Sequence, residues 1–579
     1  MSAPRPLRRL WRLAQPDRGR IALALLLATL ALTSAVGLLV VSAWLISRAS
    51  QQPPILTLQV AIVAVRALGI SRGVFRYADR LVGHDAAFRS LAHVRVGVFR
   101  RLERLSPAGL GSYRQGDLLA RLVGDVDASV DLVVRVVLPA VSSVLAGALA
   151  VAMGAAILPA AGGALLVLLV VSGLVVPWLT TGIGARSQRA RAAAEGELSA
   201  QLVAALSAAP ELLALGTVDA AVARLREADA TLTRLDRRRA VASGVAAGLG
   251  TLATGLTVVA CIGLGVTAMQ QARMDGVWLA ALALIPLAMA DVLSGMPAAA
   301  LARSRVAGAA ERIFALMDSP DPVPARPGPC TAAPPGRRPE LDLQQVSARY
   351  PGAGTDALAR LDLVLPPGRR VALVGPSGSG KSTAVAVLLR LLDHGEGRYT
   401  VDGSDVRDLD EDDVRARLGA MDQRAHLFDT TIEENIRLAN RDADDAALAE
   451  ALAAAQLSDW VDALPAGLAT RVGAHGSAVS GGQAQRIALA RVLLADRPVA
   501  VLDEPGEHLD PAMADQVTAA ALAATTGRSV VLVTHRMAHT EDCDEVIVLN
   551  EGEVVQRGRP DQLHDGWYAQ ARAREAGHG

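Results

Sequence analysis

The chain has 579 residues, with 58 basic side chains balanced by 58 acidic ones, so its electrostatics do not point to nucleic acid as a partner. Hydrophobic residues make up 51% and aromatics 3%, a total that a soluble protein could also reach, so the distribution has to discriminate. Long apolar runs fill the first 300 residues, whereas the chain beyond about residue 340 reads as an ordinary soluble domain. Cys261, Cys330 and Cys543 lie far apart, without a CxxC pair or zinc spacing, and read as incidental thiols. Lys381 is the sole lysine, leaving 57 arginines among the 58 basic residues. Arginine replaces lysine at most surface positions but not where a compact point charge is needed, so the environment of Lys381 matters.

The N-terminal segment RPLRRLWRLAQPDRGR is rich in arginine and runs into an apolar stretch too long for the core of a signal peptide. Six stretches, roughly 21–46, 54–75, 130–157, 161–182, 241–269 and 276–300, are long enough to cross a bilayer. Arg66 and Arg72 interrupt the second. Pro139, Pro177 and Pro286 fall inside spans, where neighbouring helices can satisfy the freed backbone groups. The connections after the first, third and fifth spans are short; those after the second and fourth are long and rich in arginine. The positive-inside rule then predicts a multi-pass membrane protein with both termini and both long loops in the cytoplasm. The competing reading, core helices of a large soluble protein, does not explain this consistent charge asymmetry.

A proline-dense segment, SPDPVPARPGPCTAAPPGRRP, reads as a linker. The expected organisation is a membrane domain over 1–317, a linker over 318–339 and a soluble domain over 340–579. The first of these is expected to be an α-helical membrane domain of six transmembrane helices.

Within the soluble half, the strand-like RRVALVGP ends in Gly375-Pro376-Ser377-Gly378-Ser379-Gly380-Lys381-Ser382, followed by Thr383 and a helical pattern. Strand, glycine-rich loop and helix form the context in which backbone N–H groups converge on phosphate, helped by the helix N-terminus. Lys381 is expected to reach the β- and γ-phosphates of ATP, and Ser382 to ligate Mg²⁺. Further on, PVAVLDEP reads as a buried strand ending in an acid pair. Asp503 would hold Mg²⁺ through water, and Glu504 would orient or deprotonate the attacking water; a surface acid pair after a core strand is the bland alternative. The expected fold class is therefore an α-helical membrane domain of six transmembrane helices fused to an α/β P-loop ATPase domain.

Val479-Ser480-Gly481-Gly482-Gln483 precedes that strand and resembles the signature motif of ABC transporters, with Val479 where leucine is usual. Other motifs of that family follow in order. Tyr350 corresponds to the aromatic that stacks on adenine, Gln423 in AMDQRAHLF to the Q-loop glutamine at the Mg²⁺ site, and His535 in VLVTHR to the switch histidine that contacts the γ-phosphate. Taken singly, each of these three reads more readily as structural than as functional; their order and spacing carry the resemblance. The resemblance covers the whole chain, since six spans ahead of one such domain is the layout of an ABC half-exporter. It implies that two ATPase domains face each other head to tail. ATP held at Lys381 and Glu504 would then be closed by a partner's signature motif, while Ser480 to Gln483 of this chain close the partner's site. Segments 113–127 and 205–216 in the long cytoplasmic loops would carry the coupling to the membrane halves; ordinary solvated helix is the alternative for both.

Two departures narrow the resemblance. The D-loop reads Glu507-His508-Leu509-Asp510 instead of the usual Ser-Ala-Leu-Asp, and Ala474 stands where many exporters have glutamate. Such departures suit a heterodimer with two unequal sites. The second span and its extension, RYADRLVGHDAAFRSLAHVR followed by LSPAGLGSYRQGDLLARLVGDVD, resemble the CydC-type subunits of CydDC exporters, which serve assembly of cytochrome bd oxidases. That family implies a CydD-like half-transporter as partner in the lipid bilayer, and thiols such as cysteine or glutathione, or haem, as cargo. In that light His84, with Arg76 and Arg80 on the same helical face, is a candidate ligand of haem b, its arginines pairing with the propionates; a histidine bonded to Asp85 or to a loop is the structural alternative. Asp291 in the sixth span is a further functional candidate, unless it sits in water near the cytoplasmic end. Two other readings remain, a lipid or drug exporter half acting as a homodimer and a regulatory subunit that binds ATP without hydrolysing it.

Overall fold

The computed structural model describes residues 5–111, 118, 121–324, 338–422, 426–473, 476–507 and 509–576. It divides into two compact units, residues 1–101 with 113–318 and residues 102–112 with 319–579.

Among the described residues, six helices are long and apolar enough to cross a membrane, Arg18–Ala49, Ile55–Leu105, Arg121–Ile157, Pro159–Thr180, Val218–Gln270 and Val277–Met317. Ile55–Leu105 and Val218–Gln270 run for 51 and 53 residues. At a rise of about 1.5 Å per residue each is more than twice the roughly 30 Å of a bilayer core, so the loops predicted after spans two and four are mostly continuations of helices. Between Val176–Ser207 and Val218–Gln270 lies a separate short helix, Ala209–Ala214. Of the other loop candidate, 113–127, residues 113–117, 119 and 120 lie outside the described residues, and Arg121–Asp125 is a π turn.

Small residues bring the helices Leu138–Ile157 and Pro159–Val170 together. A Cβ on Gly162 would stand 2.5 Å from Ala155 Cβ and 2.7 Å from its Cα. Lipid tails are as apolar as leucine, so membrane helices associate through close backbone approach of this kind rather than by burying apolar surface from water. Ser143 adds a cross-helix bond, its hydroxyl donating to the Val292 carbonyl at 2.8 Å. The outer faces are strongly apolar, with Val60 81% and Ile55 72% exposed, a surface that fits lipid rather than water.

In the second unit the strands are β1 (Leu341–Ala348), β2 (Leu358–Leu365), β3 (Arg370–Val374), β4 (His394–Val401), β5 (Ser404–Asp405), β6 (Leu418–Met421), β7 (Val499–Asp503), β8 (Ser529–Val533), β9 (Glu545–Asn550) and β10 (Glu553–Gly558). They form a four-stranded antiparallel sheet, β2-β1-β4-β5, and a six-stranded sheet, β10-β9-β3-β8-β7-β6, whose interior is parallel. Alternate residues of the parallel strands face different cores. Ala372, Val374, Leu502 and Leu532 join the core shared with the helices around Ile436, Leu452 and Leu489; Val371, Leu373, Val501 and Val533 join the core shared with the antiparallel sheet. With both faces covered, these strands are continuous apolar runs, which is why VALV, VAVL and VVLV stand out in the sequence.

Register then sets the site. Asp503 at the end of β7 pairs with Val533 at the end of β8, and β8 lies beside β3, whose chain leads into the glycine loop. The carboxyl ends of these three strands therefore meet at one edge of the sheet, where open α/β sheets bind ligands.

Candidate functional site

The glycine loop leaves β3 and turns into the helix Lys381–Leu388 through residues that only glycine tolerates. Gly375, Gly378 and Gly380 have φ of 149°, 79° and 100°. A Cβ on Gly380 would approach the Ala357 carbonyl oxygen at 2.7 Å, and one on Gly375 would collide with the Leu549 carbonyl. Lys381 is the first residue of the helix and only 8% exposed. Its ammonium donates to the carbonyls of Gly375 at 2.8 Å and Pro376 at 2.9 Å, with the Ser379 hydroxyl at 3.5 Å. Burial lowers its pKa, and the nearby Glu504 and Asp503 carboxylates oppose that shift.

Ser377, Gly378, Ser379, Gly380, Lys381, Ser382 and Thr383 line a cleft of about 350 Å³ together with Asp503 and Glu504. Asp356, Ala357, Glu551 and Gly552 complete its wall. Those four come from two loops distant in sequence and carry no motif, so only the fold reveals them. Asp503 is buried, and its carboxyl is pushed up to about 7, first by burial and then by the neighbouring Glu504 and Asp422 carboxylates, with Lys381 acting in the opposite sense. A cation at this position would relieve that repulsion, so the donor set fits a hard divalent ion such as Mg²⁺.

Glu504 is held in a left-handed conformation, φ 49°, in which its N–H donates to the Val533 carbonyl at 2.8 Å and its carbonyl accepts Gln485 Nε2 at 3.1 Å. A non-glycine residue in this region is strained and persists because the surrounding structure holds it there. Its carboxylate meets His535 Nδ1 at 3.2 Å. That hydrogen bond raises the pKa of His535, partly countered by burial. His535 and the candidate base are thus paired with each other, an arrangement in which a base is oriented by a second group.

The other candidates are placed elsewhere. Tyr350, just past β1, packs against the core beside the antiparallel sheet and does not line the cleft. Ser480 is the N-cap of the helix Gly481–Ala495. Its hydroxyl accepts Gln483 N–H at 3.2 Å, and Gln483 Oε1 accepts Ser480 N–H at 2.8 Å, a complete capping box. Asp510 caps the helix Pro511–Ala524 by accepting Met513 N–H at 3.1 Å. Neither Asp510 nor any of Ser480, Gly481, Gly482 and Gln483 lines the cleft. Gln423, His508, Ala474 and Cys330 lie outside the described residues.

In the membrane unit, Arg76, Asp79, Arg80, His84 and Asp291 line one cavity of about 400 Å³. His84 Nδ1 lies 2.8 Å from the Arg80 carbonyl; a carbonyl only accepts, so Nδ1 is the donor, and a neutral ring would leave the lone pair on Nε2. Asp85 is not its partner, because Arg20 and Arg89 bind that carboxylate.

Residues 21–281 match the ABC transporter transmembrane region, and residues 358–507 match the ABC transporter family itself. The glutathione/L-cysteine transport system ATP-binding/permease protein CydC of Escherichia coli is 30% identical over 553 residues, covering 94% of this chain and 95% of that protein. This chain belongs to the CydC/CydD family of ABC transporters. The CydD protein of the corresponding Bacillus subtilis system is 30% identical over 570 residues, covering 93% of this chain and 94% of its own length. An ATP-dependent lipid A-core flippase of Ralstonia nicotianae is 40% identical, over 45% of this chain and 44% of its own. The fold is that of a bacterial Atm1-family ABC exporter with ATP bound, with a TM-score of 0.82 at 23% identity, covering 96% of this chain and 98% of that one. The ABC transporter chain is accordingly a multi-pass membrane protein whose ATPase is coupled to transport.

Proposed function

We propose that this chain is the CydC-type half of a heterodimeric exporter in a bacterial cytoplasmic membrane, with its termini in the cytoplasm and a CydD-like half as partner. One observation carries the reading. Lys381, Asp503 and Glu504 line one cleft and His535 meets its Glu504 carboxylate at 3.2 Å, while Ser480 to Gln483 and Asp510 of the same chain neither line it nor contact Glu504 in this way. A second chain must then supply the closing half, and this chain's capped signature helix would serve that partner's site. Phosphoryl transfer needs mainly positioning and charge stabilisation. Lys381 would hold the β- and γ-phosphates, Ser382 and Asp503 the Mg²⁺ ion, and Glu504, oriented by His535, the attacking water. Mg²⁺ would screen the phosphate oxygens when bound. The short helix Ala209–Ala214, with Leu213 71% exposed, is a candidate to transmit closure.

For cargo, the relatives' names support thiols such as glutathione and cysteine. The membrane cavity supports haem as the other assignment, since His84 offers Nε2 while Arg76 and Arg80 lie on the same cavity wall to meet propionates. Either would serve cytochrome bd assembly. The discriminating measurement is the visible spectrum of the purified complex, with and without His84→Ala, beside thiol stimulation of its ATPase. A haem band lost on substitution supports haem at His84, and a band that survives removes His84 as the ligand. No band, with thiol-stimulated turnover, supports thiol export. Absence of any co-purifying second half-transporter, with robust ATPase from this chain alone, would overturn the heterodimer and favour the homodimeric lipid or drug exporter.

A further inference from the structure

The segment that carries His535 is held by an element with no recognised motif, the C-terminal helix Gly566–Ala576. That helix is anchored independently of the site. Tyr568 is fully buried and its hydroxyl shares a 2.7 Å hydrogen bond with the buried Thr540 hydroxyl, while Trp567 and Ala571 pack on the core. Near its end, Glu575 turns toward the chain just beyond His535. Its Oε2 accepts the Met537 N–H at 2.5 Å, and its Oε1 lies 3.9 Å from Arg536 Nε. Arg536 is held from the other side by Asp515 at 2.6 Å.

His535 therefore sits between two pinned peptides. Upstream, Thr534 N–H continues the sheet by donating to the Leu373 carbonyl at 3.2 Å, and the Thr534 hydroxyl accepts Arg536 N–H at 2.9 Å. Downstream, the carboxylate of Glu575 fixes Met537, whose side chain is buried in the core. Hydrogen bonds from N–H to a carboxylate are stronger than neutral ones, so Glu575 is a strong restraint on the Arg536–Met537 peptide, one peptide beyond that held by the Thr534 hydroxyl. The His535 imidazole is itself largely exposed and makes its one described polar contact with Glu504, so its direction depends on its backbone rather than on packing around the ring.

We propose that Glu575 is a positioning residue for ATP hydrolysis. By holding Arg536 and Met537 it fixes the backbone of His535 and thereby the His535–Glu504 pair, so the C-terminal helix sets the turnover rate of the cleft without touching nucleotide. This rests on the role of His535 given above. Displacing a catalytic group slightly costs rate more than binding, so the effect belongs in kcat and not in KM.

The test uses the full-length chain purified with its co-purifying partner, and reads the initial rate of vanadate-dependent trapping of labelled 8-azido-ADP on this chain as a function of ATP concentration. Glu575→Ala should lower the maximal rate roughly tenfold with an unchanged half-saturating ATP concentration. Glu575→Gln, whose amide oxygen still accepts the Met537 N–H, should restore much of it. Arg572→Ala, which removes only the exposed pair with Glu541 on the same helix, should behave as wild type. If Glu575 acts through His535, Glu575→Ala combined with His535→Ala should be no slower than His535→Ala alone. A maximal rate for Glu575→Ala within twofold of wild type overturns the proposal, as does a double variant whose loss is the product of the two single losses. Wild-type trapping by His535→Ala would instead overturn the role of His535 itself, which separates the two failures.

Discussion

Asp503 is buried in a cleft with Glu504 beside it and Asp422 nearby, and its carboxyl titrates at about 7 instead of the ordinary 3.8. At roughly 1.4 kcal/mol per pH unit, the ionised form is disfavoured in the folded chain by up to about 4 kcal/mol, an upper bound because relaxation and solvent reduce it. The folded state binds the proton more tightly than the unfolded state. Stability from this group is therefore present at pH 4 and falls as pH rises, levelling off above about 7. Asp503→Asn removes the charge and keeps the shape. In Mg²⁺-free buffer at pH 8 the ATPase unit of the variant should melt higher than wild type, by up to roughly 8–16 °C at ~2–4 °C per kcal/mol, and the two curves should converge near pH 4. The same variant should lose Mg²⁺-dependent ATP turnover, because the acid that destabilises the folded cleft is the one proposed to hold the ion. Differential scanning fluorimetry across pH, with and without Mg²⁺, measures both. A melting difference absent at pH 8, or one that is the same at pH 5 and pH 8, would refute the reasoning.

Other consequences follow from the same geometry. Glu504→Gln should retain ATP binding while lowering kcat by about 10²- to 10⁴-fold, the usual contribution of a general base, read as phosphate release by the assembled complex. Lys381→Arg should weaken ATP binding at least ~10-fold by calorimetry, because a planar guanidinium cannot occupy the buried niche between the Gly375 and Pro376 carbonyls. Unchanged affinity would mean that the niche adapts. In the membrane unit, Gly162→Ala should cost about 1–3 kcal/mol and lower the melting temperature, since its Cβ would meet the Ala155 backbone. Gly163→Ala, with nothing within 4 Å of the new atom, should be nearly neutral, and equal effects at the two positions would sink the packing argument.

Much of this chain was legible before folding because its signals are local. Membrane-crossing helices are runs of consecutive apolar residues, and a phosphate loop is a strand, a glycine turn and a helix in unbroken order, with the one lysine inside it. The acid pair Asp503-Glu504 likewise shows itself by following a strand buried on both faces. What was not legible depends on which strands lie side by side. Only the order β3-β8-β7 brings the glycine loop, Glu504 and His535 to one edge, and only that packing forces Glu504 to φ 49° and pushes Asp503 up to about 7. Asp356, Glu551 and the grip of Glu575 on Met537 arise from contacts between distant segments of chain. In the membrane unit, the one-face spacing of Arg76, Arg80 and His84 was a property of the sequence, but their sharing a cavity with Asp291 needed helices more than 200 residues apart to meet. The sequence by itself thus determined which chemistry is available and in what kind of element. Tertiary structure decided which groups meet, because side-chain partnership across a sheet or a bundle is set by register and packing, which no local pattern encodes.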